Sequence, residues 1–241
     1  MSTQFSPGRF EFLPVVVKNI LIINGLFFLG TIAMATAYRI DLVDLFGLRF
    51  PGASEFKLWQ PVTHLFMHGS LGHLFFNMFS FWMFGSVLEN IWGPKRFLNF
   101  YIITGLGAAF LHYLLVYLID LKPVLDQISA QMSLATGPEV AYLESQKEQF
   151  LNMPNIIGAS GAVAGIWIAF AYLFPNSTLY LFFAFPVKAK YLAAFYVVYE
   201  LYQAVQFNPQ DNVAHFAHLG GMLFGFLIVR FWYNKDRLNF Y

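Results

Sequence analysis

The chain reads as an all-α, polytopic membrane protein with six transmembrane helices, and three observations predict this. Apolar residues make up 58% of the sequence and charged ones only 11%, about half the charge of an ordinary soluble domain. Six apolar stretches each come near the ~20 residues that a helix needs to cross a bilayer. Turn chemistry separates them, as "WGPKR" after the second, "FPNST" after the fourth and "NPQDN" after the fifth.

In chain order the expected spans are residues 15–38, 71–91, 97–120, 156–174, 189–207 and 212–232. The first contains "AMATAY", which resembles a signal-peptide cleavage site. Its apolar stretch is too long for such a segment and its basic flank too sparse, so it is expected to remain. Residues 39–70 mix apolar and turn residues and read as an irregular loop dipping partly into the membrane. Residues 121–155 are polar and read as an insertion outside the membrane holding a short helix. The run "TLYLFFAFPV" before Lys188 is too short to span and is placed in the interface. Lys and Arg set the orientation. With the N-terminus cytoplasmic, Arg9, Lys18, Lys95, Arg96, Lys188, Lys190, Arg230, Lys235 and Arg237 lie inside, against Arg39, Arg49, Lys57, Lys122 and Lys147 outside. Both termini are therefore expected to be cytoplasmic. The division is a cytoplasmic segment 1–14, a membrane domain 15–232 and a cytoplasmic tail 233–241.

The net charge of +1 argues against a nucleic-acid partner, and the absence of cysteine excludes disulfides, thiolate catalysis and thiolate metal sites. The informative residues are polar ones at a common depth. Spans two, four and six run from outside to inside, and His73, Asn77, Ser160 and His218 all fall within about 10 Å of their outer ends at ~1.5 Å per residue. A serine hydroxyl becomes a nucleophile when a base takes its proton, and histidine titrates in the right range. His73 and Asn77 are four apart and share a helix face, where both can donate to a developing oxyanion. Ser160, near a helix start, adds its own N–H. No Asp or Glu occupies this layer on spans two, four or six, so a dyad is expected.

At these residues the sequence resembles the rhomboid intramembrane serine proteases. The resemblance rests on "GASG" at 158–161, "AHLGGMLFG" at 217–225, "HLFFN" at 73–77 and "GSVLENIWG" at 85–93, with Gly85, Glu89 and Gly93 at the family's spacing. It implies a rhomboid-like bundle, a Ser160–His218 dyad, and an oxyanion hole made by His73, Asn77 and the Ser160 amide. Two positions depart from the pattern. Ala164 stands where an aromatic packs under the histidine, and Trp59-Gln60 replaces the Trp-Arg pair of the first outer loop, which leaves open that loop's ion pair with Glu89.

A serine among small residues on a membrane helix is ordinarily packing glue; the other three motifs favour chemistry. Gly158, Gly161, Ala164, Gly165, Gly221 and Gly225 are read as packing residues that let spans four and six approach. His64, His68 and His73 lack a carboxylate at ligand spacing, so no metal or other cofactor is expected. His112 is read as structural, and Glu200 as a structural hydrogen-bonding residue. The expected function is hydrolysis of peptide bonds in or near transmembrane segments of membrane proteins, with substrate arriving laterally from the lipid bilayer near span five. The alternatives are an inactive rhomboid-like protein that binds membrane clients, and a transporter, against which the lack of inverted repeats weighs. The expected location, from the compact chain, is a bacterial inner membrane.

Overall fold

Pro14 holds an extended conformation ahead of the first helix, α1 (Val15–Tyr38). The first free N–H groups of that helix, on Val16 and Val17, donate to the two carboxylate oxygens of Glu89 at 2.8 Å each. A buried anion thus caps the positive end of α1. In this computed structural model, residues 10–153, 155–181, 184–206 and 213–235 are described. Arg9, Arg237 and the turn at 208–212, all used in the topology argument, lie outside the described residues.

The first outer loop is more ordered than its sequence suggests. It contains α2 (Leu42–Phe46), β1 (Leu48–Arg49), α3 (Gln60–Thr63) and a single 3₁₀ turn, His64–Phe66. Ser70 then caps α4 (Leu71–Trp92), its hydroxyl accepting from the His73 N–H at 3.1 Å. Gly93, with φ 78°, makes the tight turn into α5 (Pro94–Val116). That helix continues through a π-helical turn, Tyr117–Leu121, into α6 (Lys122–Met132). The unbroken 39-residue helix is about 58 Å long, against a hydrocarbon core of about 30 Å. It is thus about twice as long as such a core, and α7 (Pro138–Asn152) folds back from its C-terminal end. Residues 121–155, where one short helix is expected, thus hold two, because the helix begun at Pro94 does not stop near residue 120.

β2 (Asn155–Ile156) pairs antiparallel with β1, Leu48 opposite Ile156 and Arg49 opposite Asn155. α8 (Ser160–Leu173) follows. The run expected to lie in the interface folds as a hairpin, β3 (Thr178–Leu181) with β4 (Phe185–Lys188). α9 (Ala189–Gln206) and α10 (His215–Lys235) complete the chain. The protein is mostly helical. Four helices are long and apolar enough to cross a bilayer: α1, α4, the continuous α5–α6 and α10. α8 is apolar but has only 14 residues, about 21 Å.

α10 packs closely against both α8 and α5, and the α8 seam is built from glycine. A Cβ on Gly221 would collide with the Gly161 carbonyl oxygen, and one on Gly225 would lie 2.7 Å from the Gly165 Cα. α8 and α10 therefore lie in close backbone contact along these glycines. Phe81, Phe84, Phe97, Phe100, Tyr101 and Ile166 fill the core between α4, α5 and α8.

Candidate active site

Ser160 is the first residue of α8, so its N–H has no carbonyl within the helix to bond. The chain reaches it through β2 and a turn at Gly158, whose φ of 114° suits only glycine. A Cβ there would also stand 2.9 Å from Nε2 and Cε1 of His73. Gly158 is therefore not a helix-packing residue as expected from the motif; its bare backbone lets the His73 ring lie against the turn before Ser160. The Gly158 N–H donates to the His64 carbonyl at 2.8 Å, which together with the β1–β2 ladder ties this turn to the first outer loop.

That loop is anchored in turn. Arg49 donates to the Asn152 carbonyl at 2.6 Å and pairs with Asp44 at 2.8 Å and Glu55 at 3.1 Å. Ser54 N–H donates to Glu148 at 3.0 Å. Gln60, wholly buried, accepts from the N–H groups of Arg49 and Lys57 and donates to the Glu55 carbonyl. His64 bonds the Gln60 carbonyl through Nδ1 at 3.0 Å; burial lowers its pKa to about 4, so it is neutral at pH 7. His68 lies edge-on to His73, ring centres 4.9 Å apart, and burial likewise lowers its pKa to about 4.

Ser160, His218, His73 and Asn77 all line one cavity of about 720 Å³, with Ser70, Ser80, Asn155 and Tyr196 also on its wall. Such a volume admits water beside the hydroxyl. Asn77 donates to the His73 carbonyl at 3.0 Å, and its amide carries a second hydrogen. His215 does not line the cavity.

A carboxylate reaches this site from α9, outside the three spans compared for it. Glu200, buried at 2% exposure, meets Nδ1 of His215 at 2.6 Å through one oxygen and Nδ1 of His218 at 2.9 Å through the other. Counting only the three inward-running spans missed it. α9 runs the other way, so Glu200, six residues before its C-terminal end, meets the histidines at the N-terminal end of α10. These three side chains also offer ligand atoms within 4.8 Å of one another, so they are the group among the described residues that could hold a metal ion. The hydrogen bonds to the carboxylate account for the same geometry.

The Rhomboid domain profile matches residues 55–235. The chain belongs to the rhomboid family. Among similar proteins, the mitochondrial RHOMBOID-like protein 12 of Arabidopsis thaliana is 31% identical over 68% of this chain and 44% of its own length. An uncharacterised mitochondrial rhomboid protein of Schizosaccharomyces pombe is 26% identical over 95% of this chain and 69% of its own. Rhomboid protein 1, mitochondrial, of Saccharomyces cerevisiae is 28% identical over 67% of this chain and 38% of its own. This rhomboid thus spans less than half the length of two of these relatives. Their mitochondrial location overturns the bacterial inner-membrane assignment, which had rested only on the compactness of the chain.

Both departures of this rhomboid from the family pattern have structural counterparts. Where Ala164 replaces an aromatic, Tyr196 of α9 brings its ring to 6.4 Å from that of His218, backed edge-on by Trp167 at 5.2 Å. Gln60 serves the loop's own backbone. Glu89 caps α1 near the inner end of α4, so its partner is a helix terminus and not the outer loop.

Proposed function

We propose that this rhomboid is an intramembrane serine endopeptidase that hydrolyses peptide bonds in or beside transmembrane segments of other membrane proteins. The observation that carries the reading is the single cavity lined by Ser160, His218, His73 and Asn77. The membrane domain comprises residues 15–232 with six crossing helices, the insertion at 121–155 on one side and both termini on the other. α8 is about 9 Å shorter than the hydrocarbon core. The non-helical chain at 155–159 supplies the difference and sets Ser160 below the surface, which lipid permits only where such backbone is buried or lines a wet cavity. The relatives point to a mitochondrial membrane.

In the reaction, Ser160 Oγ attacks the scissile carbonyl carbon while His218 Nε2 takes the hydroxyl proton. The carbonyl π pair moves to oxygen, and this oxyanion is met by the Ser160 N–H, Asn77 Nδ2–H and His73. When the pair returns, the C–N bond breaks and the leaving amine takes the proton from His218. Water then repeats the sequence, releasing the acid and restoring Ser160. A helical peptide bond is shielded by its own turn, so the substrate segment must unwind to reach the cavity.

The test is purification in detergent, incubation with single-span substrates and mass spectrometry of the products. Ser160→Ala is expected to abolish cleavage and fluorophosphonate labelling while leaving the fold intact. Retained turnover in that variant would refute the mechanism.

A further inference from the structure

We infer that Glu200 is the positioning residue for the general base, so that the dyad works as a serine–histidine–glutamate series. The inference rests on the protease reading above. A carboxylate within a membrane helix is expensive unless it has a function or firm partners. Glu200 is firmly held: its oxygens meet the Nδ1 atoms of His215 and His218 at 2.6 and 2.9 Å, and the Tyr196 hydroxyl donates to it as well. An ionised carboxylate only accepts hydrogen bonds, so both histidines carry their proton on Nδ1. Nε2 of His218 is thereby left as an acceptor, the form a general base needs.

The two histidines have different tasks. His218 lines the cavity with Ser160, and His215 does not. His215 engages the second carboxylate oxygen and fixes the carboxylate plane, so that the first oxygen stays on His218. A residue serving only to glue α9 to α10 would be satisfied by His215 alone. When His218 takes the Ser160 proton it becomes imidazolium, and the adjacent negative charge stabilises it without accepting the proton. The other titratable groups that face this pair are Tyr196 from α9, His73 from α4 and His112 from α5.

The experiment compares wild type, Ser160→Ala and Glu200→Gln on one single-span substrate, measuring kcat, KM and the pH dependence of kcat/KM. Gln keeps the shape and removes the charge. In Glu200→Gln, kcat is expected to fall by ~100- to 10,000-fold, with KM within about threefold of wild type. The midpoint of the rise in kcat/KM is expected to move about one unit or more to lower pH, because the anion no longer favours protonated His218. A variant within threefold of wild type, a loss confined to KM, or a lower kcat with an unmoved midpoint each overturns the assignment, provided Ser160→Ala is inactive. Activity in Ser160→Ala instead brings down the protease reading itself. Should Glu200→Gln not fold, ¹⁵N-histidine spectra of the wild-type protein decide, with His215→Ala and His218→Ala assigning the signals. Protonation of neutral His218 at Nδ1 upholds the inference, and protonation at Nε2 overturns it.

Discussion

Gly221→Ala tests whether helix spacing sets the catalytic geometry. A methyl at 221 would land on the carbonyl oxygen of Gly161, where ordinary contact requires 3.4 Å or more. Backbone cannot rotate aside as a side chain does, so α8 and α10 must part by more than about 1 Å. Ser160 adjoins Gly161, and His218 lies three residues before Gly221 on the same helix, so the separation falls on the reacting pair itself. A misplacement of about 1 Å costs on the order of 100-fold in rate. Overpacking costs about 1–3 kcal/mol of stability, which leaves most of the chain folded. The assay is kcat on a single-span substrate, with the rate of fluorophosphonate labelling and the melting midpoint measured alongside. Gly225→Ala, one turn deeper, should cost about tenfold. Gly25→Ala on α1, where a methyl meets nothing within 4 Å, should leave activity unchanged. If Gly221→Ala keeps more than half the wild-type kcat, the glycine seam does not hold the nucleophile and base in register.

Asn77→Ala should slow cleavage by about ten- to a thousandfold, with probe labelling surviving in part, since one oxyanion donor is lost while nucleophile and base remain; unchanged turnover would make Asn77 a packing residue. His218→Ala should eliminate cleavage and labelling, whereas His215→Ala should keep at least about a tenth of the activity, a gap of ~1.4 kcal/mol or more; the reverse ranking would move the base to His215. A chelator should leave activity unchanged, and a loss restored by zinc would assign Glu200, His215 and His218 to a metal. His64 has a folded pKa of about 4 against an ordinary 6.5, so the stability it contributes is full above pH 6.5 and lost as pH falls towards 4. Between pH 7 and 5 that amounts to about 2 kcal/mol, and His64→Phe should remove that much from the acid-induced fall in unfolding free energy; an unaltered fall would show that His64 is already protonated or exposed.

Depth could be read from the sequence because rise per residue is fixed once a segment is helical. That is why Ser160, His218, His73 and Asn77 are found around one cavity, and why the glycines of spans four and six meet. Direction was the weak step. Only spans two, four and six enter the depth comparison, so Glu200 reads as a structural residue, although the end of α9 brings it to His215 and His218. Long-range pairing was also hidden. Two residues of β1 and two of β2 lie more than a hundred positions apart, and nothing in "LR" or "NI" announces a partner. Tyr196 brings a ring to His218 from α9 where Ala164 offers none, a substitution in space that a motif cannot express. The continuation of α5 into α6 is hidden because polar residues end an apolar stretch without ending a helix.

The short β1–β2 ladder has a consequence for heat inactivation. The turn before Ser160 is held to the outer loop by that ladder and the bond from Gly158 to His64, whereas the helices below are locked by an aromatic core. Structure secured by so few bonds opens at a free energy well under that of the whole domain. The turn before Ser160 therefore belongs to a local opening unit, whereas Ser160 itself begins α8 beside the Gly161–Gly221 seam. On warming, turnover should fade reversibly at temperatures where the helical signal is still flat. On the proposed function, the working range of this rhomboid is then set by the loop that holds this turn, and strengthening the helical core would raise the melting point without extending activity.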